Sequence, residues 1–122
     1  MSALRNIVLS AALFTGAATL ATAAFASTAQ LSDSQFIAAA RCQGLFDSHA
    51  LGSVDASGIN ALMKSEGAYR VPEVSDRADE ARNHAQNLAS HASPAERSEL
   101  ISERDGACQV WAKAGGEGMA GR

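Results

Sequence analysis

The chain has 122 residues, a formal net charge of −3 and an aromatic content of 5%. Ten Lys and Arg stand against 13 acids, with no basic cluster. That argues against nucleic acid, whose recognition rests on grouped cations, and leaves no basic amphipathic face for an anionic membrane.

Residues 1–26 differ from the rest. A basic start at Arg5, an apolar run from Ile7 to Leu20 and an Ala24-Phe25-Ala26 end predict a cleaved signal peptide. Ala21-Thr22-Ala23 is a second candidate cut. A membrane span needs roughly 20 consistently apolar residues, and beyond Leu20 the chain turns to Ala and Thr. The expectation is an exported protein with no stable membrane anchor after cleavage, periplasmic in a Gram-negative cell and secreted otherwise. Cleavage leaves nine Lys and Arg against the 13 acids, a charge near −4.

The remainder is expected to comprise a short lead-in over 27–32, a helical domain over 33–113 and a mobile Gly-rich tail over 114–122. Its core is thin, with 15 Leu, Ile, Val and Phe beside 18 alanines. A domain of this size buries about 60–65% of its unfolded surface, and alanine adds little to that.

Four helical segments are legible. In the first, Ser32 and Gln35 form a capping box with Leu31 as a hydrophobic staple. Phe36, Ala39, Ala40, Cys42, Leu45 and Phe46 then fill one side, and Gly52 is expected to stop the helix. The stretch Leu31-Ser32-Asp33-Ser34-Gln35 resembles the Leu-Thr-x-x-Gln motif of envelope-stress proteins related to the Spy chaperone, although the capping box accounts for the same residues.

In the second segment Ile59, Leu62 and Met63 make the apolar face, with Gly67 as a C-terminal cap. Pro72 opens the third at its first turn. There Val74, Ala78, Ala81, Ala85, Leu88 and Ala92 fall at steps of four and three, a narrow seam of coiled-coil type. Glu73–Arg77 and Asp79–Arg82 are expected helical-neighbour ion pairs.

The fourth segment starts with Ser93 as cap, Pro94 at the first position and Glu96 closing the box. Leu100, Ile101, Arg104, Ala107, Cys108 and Trp111 are expected along one face of a single helix, with the indole beside Cys108. No strand-like alternation appears. The fold expected is all-α, a small antiparallel four-helix bundle.

Cys42 and Cys108 lie one near each end of the helical region. In an exported chain they are expected to pair, stapling the first helix to the last. Gly44 and Gly106, each two residues from a cysteine, are read as allowing those two helices to approach closely. No CxxC motif is present for redox work, and no base is designated for a nucleophilic thiol.

The other site candidates are dispersed. His84 and His91 are about 10.5 Å apart along a helix at 1.5 Å per residue, too far for ordinary shared coordination. Glu80 and His84 could share an ion but lack an evident third ligand, and His49 is expected at the end of the first helix, where its charge would suit the dipole. No Gly-x-Ser-x-Gly turn or phosphate-binding Gly loop is found. No catalytic residue, cofactor or metal site is assigned, and the chain is expected not to be an enzyme.

The reading is a non-enzymatic binding module for another envelope component through a helix face, with an apolar patch sought around Phe36, Phe46 or Tyr69. Two alternatives stand beside it. In size, helix content and single bridge the chain resembles the acid-stress chaperones typified by HdeA, which would imply acid-triggered loosening. A metal-binding protein or small enzyme is the other.

Overall fold

The structure, a computed structural model, describes residues 30–120. The expected signal peptide over 1–26 lies outside the described residues. Those described form helices α1 (Asp33–Asp47), α2 (Ser57–Gly67), α3 (Pro72–His91), α4 (Pro94–Asp105) and α5 (Gln109–Ala120), with one 3-10 turn, His49–Leu51. No strand occurs among them, so the described residues form an all-α bundle of four helical segments, the last divided into α4 and α5.

Local sequence sets the starts. Both capping boxes form: Gln35 N donates to Ser32 Oγ at 3.1 Å, and Glu96 N to Ser93 Oγ at 3.3 Å. In each case the Gln35 or Glu96 side chain accepts from the cap residue's own N–H. Pro72 and Pro94 both occupy first positions. α2 has no capping side chain at Ala56. Asp55 serves instead, accepting from Ser57 N at 2.9 Å, and the hydrogen bonds of Ser57 hold the Asp55 carboxyl below its ordinary value.

α1 is the centre of the core. Phe36, Ala39, Ala40, Cys42, Leu45 and Phe46 are all buried, as their spacing requires. The helix ends at Asp47, earlier than expected, and one 3-10 turn follows before Gly52. Gly52, at φ 86°, takes the left-handed conformation that glycine tolerates at a stop. His49 therefore begins this turn and does not sit in the last turn of α1.

α1 and α2 run antiparallel. Gln43 Nε2 donates to Asn60 Oδ1 at 2.9 Å, and Arg70, just past the end of α2, donates to Leu31 O at the start of α1. α3 runs alongside α1 in the same direction, with Gly44 placed against the backbone of Arg82 and the side chain of Ala85. α5 runs alongside α2, with Gly58 against Ala112 and Gly115 against Gly58 and Leu62. Direction thus alternates from α1 to α2 to α3 to α5.

The α3 seam holds for its first half and then moves. Ala78 and Ala85 are buried and Val74 is packed on the core, but the next buried position is Ala89, while Leu88 is exposed. A straight helix of 3.6 residues per turn drifts by about 20° per heptad from a 3.5 repeat. At 3.6 residues per turn the contact line therefore passes from the Leu88 register to that of Ala89. Of the two expected ion pairs, Asp79–Arg82 forms at 3.5 Å, and no ion pair joins Glu73 to Arg77 among the described residues.

The fourth segment is not a single helix. α4 ends at Asp105, Gly106 adopts φ −104° and ψ −92°, and Cys108 N donates back to Glu103 O at 3.0 Å. This turn points Cys108 fully inward and leaves Ala107 exposed. Residues 114–120, expected to begin the tail, continue α5 to Ala120. Gly115 is the glycine that allows close approach to α2, against Gly58 and Leu62, which a Gly-rich composition conceals.

The staple forms as expected. Cys42 and Cys108 are disulfide-bonded with Cα atoms 5.5 Å apart, linking α1 to the turn between α4 and α5. Gly44 plays a different part from the one expected: it faces α3, away from the last segment.

Candidate functional site

The disulfide is structural in its setting. Cys42 and Cys108 are both buried, and they are the two cysteines of the chain.

The histidines do not converge. His84 and His91 lie exposed on α3, lining a shallow groove of about 470 Å³ with Asn87, Leu88 and Glu96. His91 Nδ1 is engaged with Asn87 O of its own helix at 2.9 Å. Among the described residues, no three of His, Cys, Asp and Glu are placed to hold an ion.

Of the three aromatic candidates for an apolar patch, Phe36 and Phe46 are core residues, while Tyr69 is 67% exposed. Val71, two residues on, is 56% exposed. The corner that carries them is built from the sequence Ala68-Tyr69-Arg70-Val71-Pro72. α2 ends in a tight turn, with Tyr69 N donating to Glu66 O and Arg70 N to Gly67 O. Proline disfavours the helical region for the residue before it, so Val71 is extended at φ −70° and ψ 154°. Pro72 then starts α3.

Arg70 locks this corner. Its side chain is 6% exposed. Nη2 donates to Glu66 Oε2 at 2.8 Å and to Leu31 O at 2.6 Å, Nη1 to Asp33 Oδ1 at 2.8 Å, and Nε to Glu66 O at 3.2 Å. Glu66 also accepts from Leu31 N, and the guanidinium packs over the Phe36 ring. With Arg70 turned inward in non-helical backbone, its neighbours Tyr69 and Val71 are turned out. An aromatic and a branched aliphatic side chain thus stand in water on a fixed backbone, which lowers the ordering cost of contact.

Two further ion pairs brace the bundle. Arg41 and Glu103 form a bidentate pair at 2.8 and 2.9 Å between α1 and α4. Hydrogen bonding to Arg41 holds the Glu103 carboxyl below its ordinary value, against an opposing effect of burial. Arg104, 5% exposed, donates to Leu51 O at 2.8 Å and to Asp105 at 2.9 Å, fixing the end of α4 to the 3-10 turn.

A groove of about 320 Å³ between α2 and α3 has Phe36, Ala40, Met63 and Ala78 at its floor and Lys64 and Arg82 at its rim. Its floor is almost wholly covered, with Phe36 at 4%, Ala40 at 1%, Ala78 at 4% and Met63 at 9% exposure, so it offers little apolar surface. Tyr69 and Val71 offer more.

No family model, no curated protein and no solved structure matches this chain. No described helix is long and apolar enough to cross a membrane. The Arg70 knot is the main feature that the sequence alone does not reveal. Its signals in the sequence are a Glu66–Arg70 spacing of four and a lone aromatic, Tyr69, three residues before Pro72.

Proposed function

We propose that this protein is an exported, non-enzymatic helical module, periplasmic or secreted, that binds another envelope protein through the Tyr69–Val71 corner. The observation that carries the reading is the exposure of both side chains on backbone pinned by the inward-turned side chain of Arg70. Aromatic residues on rigid backbone are the usual anchors of protein interfaces. The disulfide supports an oxidising compartment, and the leader-like residues 1–26 support the route there.

The test is a photo-crosslinking amino acid placed at position 69, and at Asn83 as control, in cells carrying the full chain. The expected result is a discrete adduct from position 69 that position 83 does not give, on an exported chain lacking residues 1–26 and two thiol hydrogens. Export without any adduct from position 69, or a chain kept inside the cell with free thiols, overturns the reading.

A second reading, an acid- or envelope-stress chaperone, is favoured by one observation. The Arg41–Glu103 pair bracing α1 against α4 ends on a carboxylate held below its ordinary value by Arg41, so acid that protonates it removes the brace. Suppression of a client's aggregation near pH 3 by this protein would support it, and no suppression would exclude it.

A further inference from the structure

We infer that the partner segment docking on the Tyr69–Val71 corner is cationic, an apolar side chain flanked by Lys or Arg. The inference rests on the binding reading above and adds the chemistry of the ligand.

Charge around the corner is the basis. Arg70, the nearest cation, has a side chain almost wholly withdrawn from water and committed to Glu66, Asp33 and Leu31. Its partner Asp33 keeps 65% of its side chain in water. Beyond Val71 the outward face of α3 carries Glu73, Asp76 and Glu80, all exposed, with Arg77 interrupting them. Asp79 is paired with Arg82, but Glu73 and Asp76 lie in no ion pair among the described residues. Elsewhere Arg41 and Arg104 are also occupied by ion pairs. Exposed Lys64 on α2 and Arg77 on α3 are also in no ion pair among the described residues. Glu73, Asp76 and Glu80 outnumber them, so the corner is an apolar step with an excess of carboxylates beside it. An apolar residue between basic ones complements it in both respects. Such complementarity acts chiefly on specificity and encounter rate.

The test uses isotope-labelled protein with its disulfide intact and two synthetic peptides sharing a Leu-Phe centre. One is flanked by Lys and Arg, the other by Asp and Glu. Binding is followed residue by residue by NMR titration. The cationic peptide is expected to bind about tenfold more tightly, to shift resonances of residues 69–76, and to lose most of that preference at about 0.5 M salt. Y69A together with V71S should abolish binding. E73Q with D76N should reduce the preference to about twofold, and E99Q on α4 should leave it unchanged.

Equal binding of the two peptides at the corner, or tighter binding of the acidic one, overturns the charge inference and leaves the binding reading standing. Shifts spread over acids across the whole surface also overturn it, as non-specific attraction. No binding of either peptide overturns both.

Discussion

The guanidinium carbon of Arg70 lies 4.8 Å from the centre of the Phe36 ring, so the polar knot at the end of α2 is seated directly on the hydrophobic core. Arg70 links the lead-in, α1 and α2, and its position determines how Tyr69 and Val71 meet solvent. Fold and candidate site share this one side chain.

Removing Arg70 should therefore cost stability as well as order at the corner. R70A leaves the Glu66 carboxylate, 12% exposed, without its charged partner, and breaking a buried pair on one side costs about 3 kcal/mol. R70K keeps the charge but loses the fork that reaches Glu66, Asp33 and Leu31 together, with an expected loss of about 1–2 kcal/mol. Urea unfolding should show both as lower midpoints at an unchanged slope. A wild-type midpoint for R70A would remove the knot from the account of the corner.

Three helical glycines should respond to alanine in opposite senses. At Gly44 a Cβ would lie 3.0 Å from the Ala85 Cβ and nearer still to the Arg82 carbonyl. Despite a helix-propensity gain of about 1 kcal/mol, G44A is expected to destabilise by about 2 kcal/mol as α1 and α3 are forced apart. G115A should do likewise between α5 and α2. At the next residue, Gly116, nothing lies within 4 Å of a Cβ, so G116A should stabilise by up to about 1 kcal/mol. Thermal unfolding of the three variants checks the ordering, and a stabilising G44A would contradict the close α1–α3 contact.

The disulfide closes a loop with a sequence separation of 66. On the chain-entropy account this is worth about 4 kcal/mol, a large share of the roughly 5–15 kcal/mol typical of a domain. A protein with both Cys42 and Cys108 replaced by Ser should unfold at markedly lower urea concentration, and reductant should bring the native chain to the same midpoint. A change under about 1 kcal/mol would mean that the α1–α3 and α2–α5 contacts suffice without it.

What the sequence made legible follows from which forces act locally. Capping boxes at Ser32 and Ser93, prolines at first positions and the apolar face of α1 are decided within a few residues, and each stands where expected. The features that differ depend on partners distant in sequence. Gly115 appears as a breaker until Gly58 is placed against it, and Leu88 belongs to the seam until helix drift turns it to solvent. Arg70 looks like a solvated charge until Glu66, Asp33 and Leu31 close around it. The candidate site was visible in outline as Tyr69, but its rigidity came from that long-range closure.

Acid should weaken the bundle through the α1–α4 pair. The Glu103 carboxyl is held below its ordinary value of 4.5 chiefly by hydrogen bonds from Arg41, with charge attraction adding to them and burial opposing. A carboxylate with a depressed folded value contributes stability above its unfolded value and loses it as the pH falls through the folded one. E103Q should lower stability at pH 7 by about 1 kcal/mol, as expected for a bidentate but partly exposed pair. Below about pH 4.5 its stability curve should fall less steeply than that of the native protein, so that the two converge. Some slope should remain, because Asp55 and Asp105 are also held low, by Ser57 and Arg104 respectively. Urea unfolding at pH 7 and near pH 3 reads the difference. Parallel curves at both would show that the Arg41–Glu103 pair carries no part of the acid sensitivity, and would remove one support from the chaperone reading.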